Sequence, residues 1–160
     1  MREHFEINIQ WRAFPLHPET PEEGLTLEEL FAGRPVSIDQ IKARLRKAAE
    51  EAGLPLGDRQ KTFNSRLAQE LGKWAEEKGR GEEFHNAVFR AYFVDGINIA
   101  KIEELITIAR KKGLPEEEAR KVLELRTYKA AVDSDWHRSQ QLGVTAVTPR
   151  EFLRLMRPVP

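Results

Sequence analysis

A single stretch of this chain alternates like a β-strand, and the periodic segments after it read as helix. Phe5, Ile7, Ile9 and Trp11 alternate with Glu6, Asn8 and Gln10, a period of two that describes a strand with one buried face. A strand does not form a sheet alone, so the pattern demands a partner, either from weakly signalled segments or from another chain. Its edge and its apolar face lead us to expect a homodimer formed through one or the other.

The helical signals begin beyond the proline-rich run of Pro15, Pro18 and Pro21. A short helix is expected through Leu27, Leu30 and Phe31, ending near Gly33 and Pro35. Ser37 and Gln40 fit a capping box opening a helix to Ala52, with Ile38, Ile41, Leu45, Ala48, Ala49 and Ala52 on one face. Further helices are predicted through Leu67 to Ala75, from about Glu82 to Val94, and from Asn98 or Ile99 to near Gly113. Another starts at Pro115, where three glutamates suit the positive helix end, and a last one runs from about Tyr128 to Gln141. The segment after Gly143 is ambiguous, broken by Pro149, Pro158 and Pro160, with Phe152, Leu153 and Met156 at helical spacing.

Composition narrows the function. Lys plus Arg and Asp plus Glu both number 26, so no net basic field attracts nucleic acid and none is expected as a partner. No apolar run approaches the ~18 residues of a membrane span, and the N-terminal residues show no secretory hydrophobic region. The expectation is a cytoplasmic protein with no membrane partner. There is no cysteine, which removes disulfide staples, thiolate metal sites and the nucleophile of disulfide exchange from the chain. No metal and no cofactor are expected. Glu82 and His85 make a single E-x-x-H, a motif that di-iron bundles use in pairs, and no second copy is present.

Candidate catalytic groups carry little weight. Ser134, Asp135 and His137 are neighbours on one predicted helix and point different ways. Ser37 and Ser65 read as helix starts. Phe84, Phe89, Tyr92 and Phe93 are either plain core or the lining of a ligand groove, with core the commoner fate of helical aromatics. Trp74 and Trp136 read as core too.

The order of motifs adds a resemblance. Trp11-Arg12-Ala13-Phe14 resembles a W-R-P-F-like stretch, and Asn64-Ser65 followed by Leu67 and Ala68 resembles an Asn-Thr-like helix start. Phe89, Ala91, Tyr92, Phe93, Gly96 and Ile99 follow F-x-A-Y-F-x-x-G-x-x-I. Val132 and Asp135 precede a G-V-T-like loop at Gly143, Val144 and Thr145. In that order they are similar to the DsbA family of thioredoxin-like proteins, in the subgroup of cytoplasmic DsbA-like oxidoreductases and 2-hydroxychromene-2-carboxylate isomerases. The resemblance covers roughly residues 6–149.

It implies a mainly α fold with a residual strand: the helical insertion domain of a DsbA-like thioredoxin fold, with an incomplete sheet. Residues 1–160 are expected to form one domain. Residues 1–16 would hold the thioredoxin-type strand, 25–141 the helical insertion, and 142–160 an altered cis-proline loop and tail. The family's C-x-x-C turn and closing strands have no counterpart in these residues, and Thr148 separates Val147 from Pro149 where proline would follow valine directly. The resemblance points to Phe14, Asn64, Phe89, Tyr92, Phe93, Val147, Thr148 and Pro149 as candidate ligand-binding residues, with a peptide or a thiol as the ligand. No catalytic residue is assigned. The expected function is that of a relative of protein disulfide oxidoreductases that is itself redox-inactive. A non-catalytic module binding a peptide or hydrophobic ligand is the second reading, and a glutathione-dependent isomerase- or transferase-like enzyme the third.

Overall fold

The periodic segments become seven helices in the computed structural model, which describes residues 10–144. Two two-residue strands complete the elements: β1 (Leu25–Thr26) and β2 (Lys61–Thr62), paired antiparallel with Leu25 opposite Thr62. The helices are α1 (Leu27–Leu30), α2 (Ile38–Glu51), α3 (Arg66–Glu77), α4 (Gly81–Phe93), α5 (Ile102–Lys111), α6 (Glu116–Leu125) and α7 (Lys129–Gln141). Among the described residues, no helix is long and apolar enough to cross a membrane.

Local chemistry sets the boundaries. Thr26 accepts from the Glu29 amide while the Glu29 carboxylate accepts from the Thr26 amide, a reciprocal box that starts the four-residue α1. Ser37 caps α2 through the Gln40 amide, as its sequence predicts. Helix α5 starts at Ile102 rather than at Asn98, because the Asn98 side chain accepts from the Ala100 amide and holds a turn ahead of the helix.

Helix α3 is the hub, packed against α4, α5, α6 and α7. Ala68, Leu71, Trp74 and Ala75 recur at helical spacing and are buried, and they meet Phe84, Val88, Leu105, Ala109 and Leu123 in one cluster. At its centre Gly72 lies against His85, whose Cε1 would come within 2.8 Å of a Cβ added there. The glycine weakens the helix by about 1 kcal/mol relative to alanine, in exchange for that close approach.

The strand expected from Phe5 to Trp11 falls mostly outside the described residues. Phe5, Ile7 and Ile9 lie outside the described residues; Gln10 and Trp11 belong to no strand, and the antiparallel pair is formed by other residues, Leu25–Thr26 and Lys61–Thr62. Strands this short carry no period for a sequence pattern to register. The apolar face foreseen for α2 is present, yet none of its residues is buried among the described residues, and Leu45 is 40% exposed.

Candidate functional site

The segment entering the helical body is held by side chains. Gln69 and Lys73 of α3 donate to the Phe14 and Trp11 carbonyls at 3.0 and 2.9 Å. Asp135 of α7 accepts from Arg12 Nη1 at Oδ1, 3.0 Å, and from the Ala13 amide at Oδ2, 2.9 Å, and Oδ2 also lies 2.8 Å from Lys73 Nζ. Asp135 is only 4% exposed. Burial alone would raise its carboxyl, but the hydrogen bonds from Lys73, the Ala13 amide and Arg12 outweigh it and hold the group below its ordinary range. Beside this junction lies an open cavity of about 470 Å³, lined among others by Gln10, Arg12, Lys73, Glu76, Tyr128 and Asp135. There the Tyr128 hydroxyl, bonded to Glu77, is pushed up to about 12 by burial and by that carboxylate.

Behind it Glu70 is fully buried, between two guanidinium groups. Arg66 Nε approaches at 2.6 Å, and Arg126 grips it with Nε and Nη2, both at 2.7 Å. Burial opposes the charge, and the bonds from Arg126 and Arg66 overcome it, so the Glu70 carboxyl is lowered. Arg126 takes up this grip from a left-handed backbone, φ +52°, at the end of α6.

An aromatic face follows α4. Trp11 stands 5.0 Å from the His85 ring and 6.0 Å from Phe89; Phe89 lies 6.4 Å from Phe93, and Phe93 4.7 Å from Tyr92 in an edge-on arrangement. Phe89 and Phe93 are 38% and 39% exposed, whereas Phe84 on the same helix is fully buried. Arg59 lies over this face, 4.3 Å from the Tyr92 centroid and 5.5 Å from that of Phe93.

Of the residues expected to bind a ligand, Phe89, Tyr92 and Phe93 are thus brought together. Phe14 is half-buried in the pinned segment. Asn64 sits apart, donating to the Pro18 and Thr20 carbonyls and accepting from the Arg66 amide, so its amide ties the proline-rich loop to the start of α3. Val147, Thr148 and Pro149 lie outside the described residues. His85 faces Glu76 at 3.0 Å, not Glu82. Among the described residues, no three histidines or carboxylates gather as a metal site would require.

Sequence reasoning did not reach Arg59, Lys73, Glu70 or Arg126. Asp135 entered as a motif position and as a weak catalytic candidate, not for its ion pairs, whose partners lie 62 and 123 residues away. Charged residues on amphipathic helices all look alike until the packing selects which are buried.

A helical body with a pinned N-terminal segment and an aromatic face beside it fits the arrangement of an insertion domain. The sequence pattern of the DSBA-like thioredoxin domain matches residues 1–147, and the chain belongs to that family. Among solved structures it is similar to a probable DsbA oxidoreductase from Streptomyces coelicolor, with a TM-score of 0.76 and 30% identity, over 85% of this chain and 62% of that one. The chain therefore spans less than two thirds of that oxidoreductase. A comparison with curated proteins found no match.

Proposed function

We propose that this chain provides the substrate-facing helical part of a DsbA-like thioredoxin-family protein and performs no disulfide exchange by itself. The observation that carries the reading is the pairing of an exposed aromatic face on α4 with the absence of any cysteine from the sequence. Disulfide exchange requires a thiolate, and no other side chain replaces it. Phe89 and Phe93 hold apolar rings in water beside Trp11, which favours a second reading of the same site as a non-catalytic surface for a peptide or hydrophobic ligand. Phe14, Asn64, Val147, Thr148 and Pro149 stay in the reading as further candidates, outside the three-ring face.

Two measurements test it. In a dithiol oxidation assay the 160-residue chain should give no rate above buffer, and turnover would sink the first statement. In a titration with an aromatic peptide, Trp11 fluorescence should respond saturably in the wild type and lose the response in Phe89→Ser/Phe93→Ser. A silent wild type would sink the second. The reading also places the protein in the cytoplasm, as a homodimer; sedimentation at one concentration-independent monomer mass would remove the dimer.

A further inference from the structure

We propose that Arg59 and the Tyr92–Phe93 rings form a carboxylate-recognition site at the edge of the aromatic face, for a ligand bearing a carboxylate next to an apolar or aromatic group. This inference rests on the reading of the α4 face as a binding surface and names the chemistry of what it takes.

The argument begins at Gly57. Its amide donates to the Phe93 carbonyl at 2.9 Å, and a Cβ at this position would lie 2.1 Å from the Val94 carbonyl oxygen. The connection before β2 is therefore seated directly on the C-terminal end of α4, and two residues later it lays the Arg59 guanidinium on Tyr92. Nη1 is anchored by the Lys61 carbonyl at 2.8 Å, by Thr62 Oγ1 at 3.1 Å and by the Tyr92 hydroxyl. All three acceptors are neutral.

No carboxylate lies within ion-pair distance of Arg59 among the described residues, unlike Arg12, Arg66, Arg120 and Arg126. Its sequence neighbour Asp58 is drawn away to Arg46 at 3.0 Å and Lys42 at 3.8 Å. Arg59 is also half-buried, and burial pushes its guanidinium below its ordinary value. At neutral pH it stays charged, since that ordinary value is so far above neutrality.

The unused nitrogens define the ligand. A guanidinium carries five N–H donors in a planar fork, and with Nη1 anchored, the Nε and Nη2 edge has no acceptor among the described residues. Neither nitrogen is sealed from water, for the one buried side-chain polar atom without a partner among the described residues is Thr20 Oγ1. An Nε/Nη2 edge offers two parallel donors, the geometry that a carboxylate accepts bidentately. Stacking on Tyr92 and the anchor at Nη1 fix the plane of the fork in advance, so little side-chain freedom is lost on binding. Phe93, 5.5 Å from the guanidinium, and Phe89 beyond it are exposed apolar surface. An acid with an adjoining apolar group fits both parts.

The test titrates wild-type protein with acetyl-Phe-Phe bearing a free C-terminal carboxylate, with its carboxamide, with acetyl-Phe-Glu carboxamide and with acetate. The readouts are the Arg59 Nε–H resonance and Trp11 fluorescence. The carboxylate peptide should bind about tenfold more tightly than the carboxamide and shift the Nε–H signal, an advantage of the size that a charge-assisted pair supplies. The glutamate peptide matching it would identify a side-chain acid as an equal source, and the carboxamide value would restrict the site to chain termini; either outcome supports a carboxylate site. Arg59→Gln should bind all three peptides alike, and Arg59→Lys, which keeps the charge without the fork, should lose most of the preference. Should neither variant fold, the Nε–H shift in the wild type decides. Equal binding of acid and amide by the wild type, or a preference that persists in Arg59→Gln, would overturn the proposal and leave the aromatic face standing. If no peptide binds, the aromatic-face reading fails, and acetate decides for Arg59 alone: a saturable Nε–H shift keeps the carboxylate site, and its absence overturns it.

Discussion

Glu70 is a carboxylate with no exposed surface, neutralised by two arginines from different elements. A buried ion cluster contributes little against a hydrophobic replacement, yet removing one member leaves the others charged and unpaired. Glu70→Gln should therefore destabilise the fold by about 3–5 kcal/mol, measured as a lower denaturant midpoint with an unchanged slope. Arg126 adds to the cost, since its left-handed backbone stores about 1–2 kcal/mol that the Glu70 contact offsets. The pH response follows from the same group. Its folded carboxyl lies below the ordinary value of 4.5, so its stabilising contribution is complete above about pH 4.5 and is lost as the pH falls through the lower folded value. Asp135 acts the same way below its ordinary 3.8. Stability should thus be flat from neutral pH to about 5 and decline below it; in Glu70→Gln the decline should be shallower. A wild-type decline that begins near pH 6 would implicate other groups.

Among the elements, α2 and α3 show how far a pattern can be read. Both have well-separated apolar faces and both form where their periodicity predicts. Helix α3 becomes the hub of the core, while no residue of α2 is buried among the described ones. Periodicity encodes that a helix has a face; it does not encode whether a neighbour covers it. Hydrogen exchange should separate the two, because local opening is easiest where few apolar contacts resist it. The α2 amides should exchange at least a hundredfold faster than those of Leu71, Trp74 and Ala75, and equal protection would mean that α2 is covered in solution. The helices were legible for the same reason that the candidate site was legible only in part. Phe89, Tyr92 and Phe93 stand in one motif and share one helix, but Arg59 joins them through a loop contact at Gly57 that has no periodic signature. Asn64 stands in a motif as well, and its side chain is occupied by the Pro18 and Thr20 carbonyls.

At the scale of the whole molecule, Asp135 ties the N-terminal segment to a helix more than 120 residues further along the chain. Asp135→Asn keeps the shape and removes the charge shared by Lys73 and Arg12. The expected loss is about 3 kcal/mol, together with a red shift of Trp11 emission and faster exchange of the Ala13 amide. An unchanged Trp11 spectrum would show that the α4 rings hold the segment without Asp135. Among the described residues, this run is joined to the body by no strand ladder but by separate bonds at Trp11, Arg12, Ala13 and Phe14, and by the Trp11 ring against His85 and Phe89. Those bonds lie in series along the chain. A pulling force applied from the N-terminal side would load them one at a time, so the run would peel like a seam at low tension while the helical body behind it stayed intact.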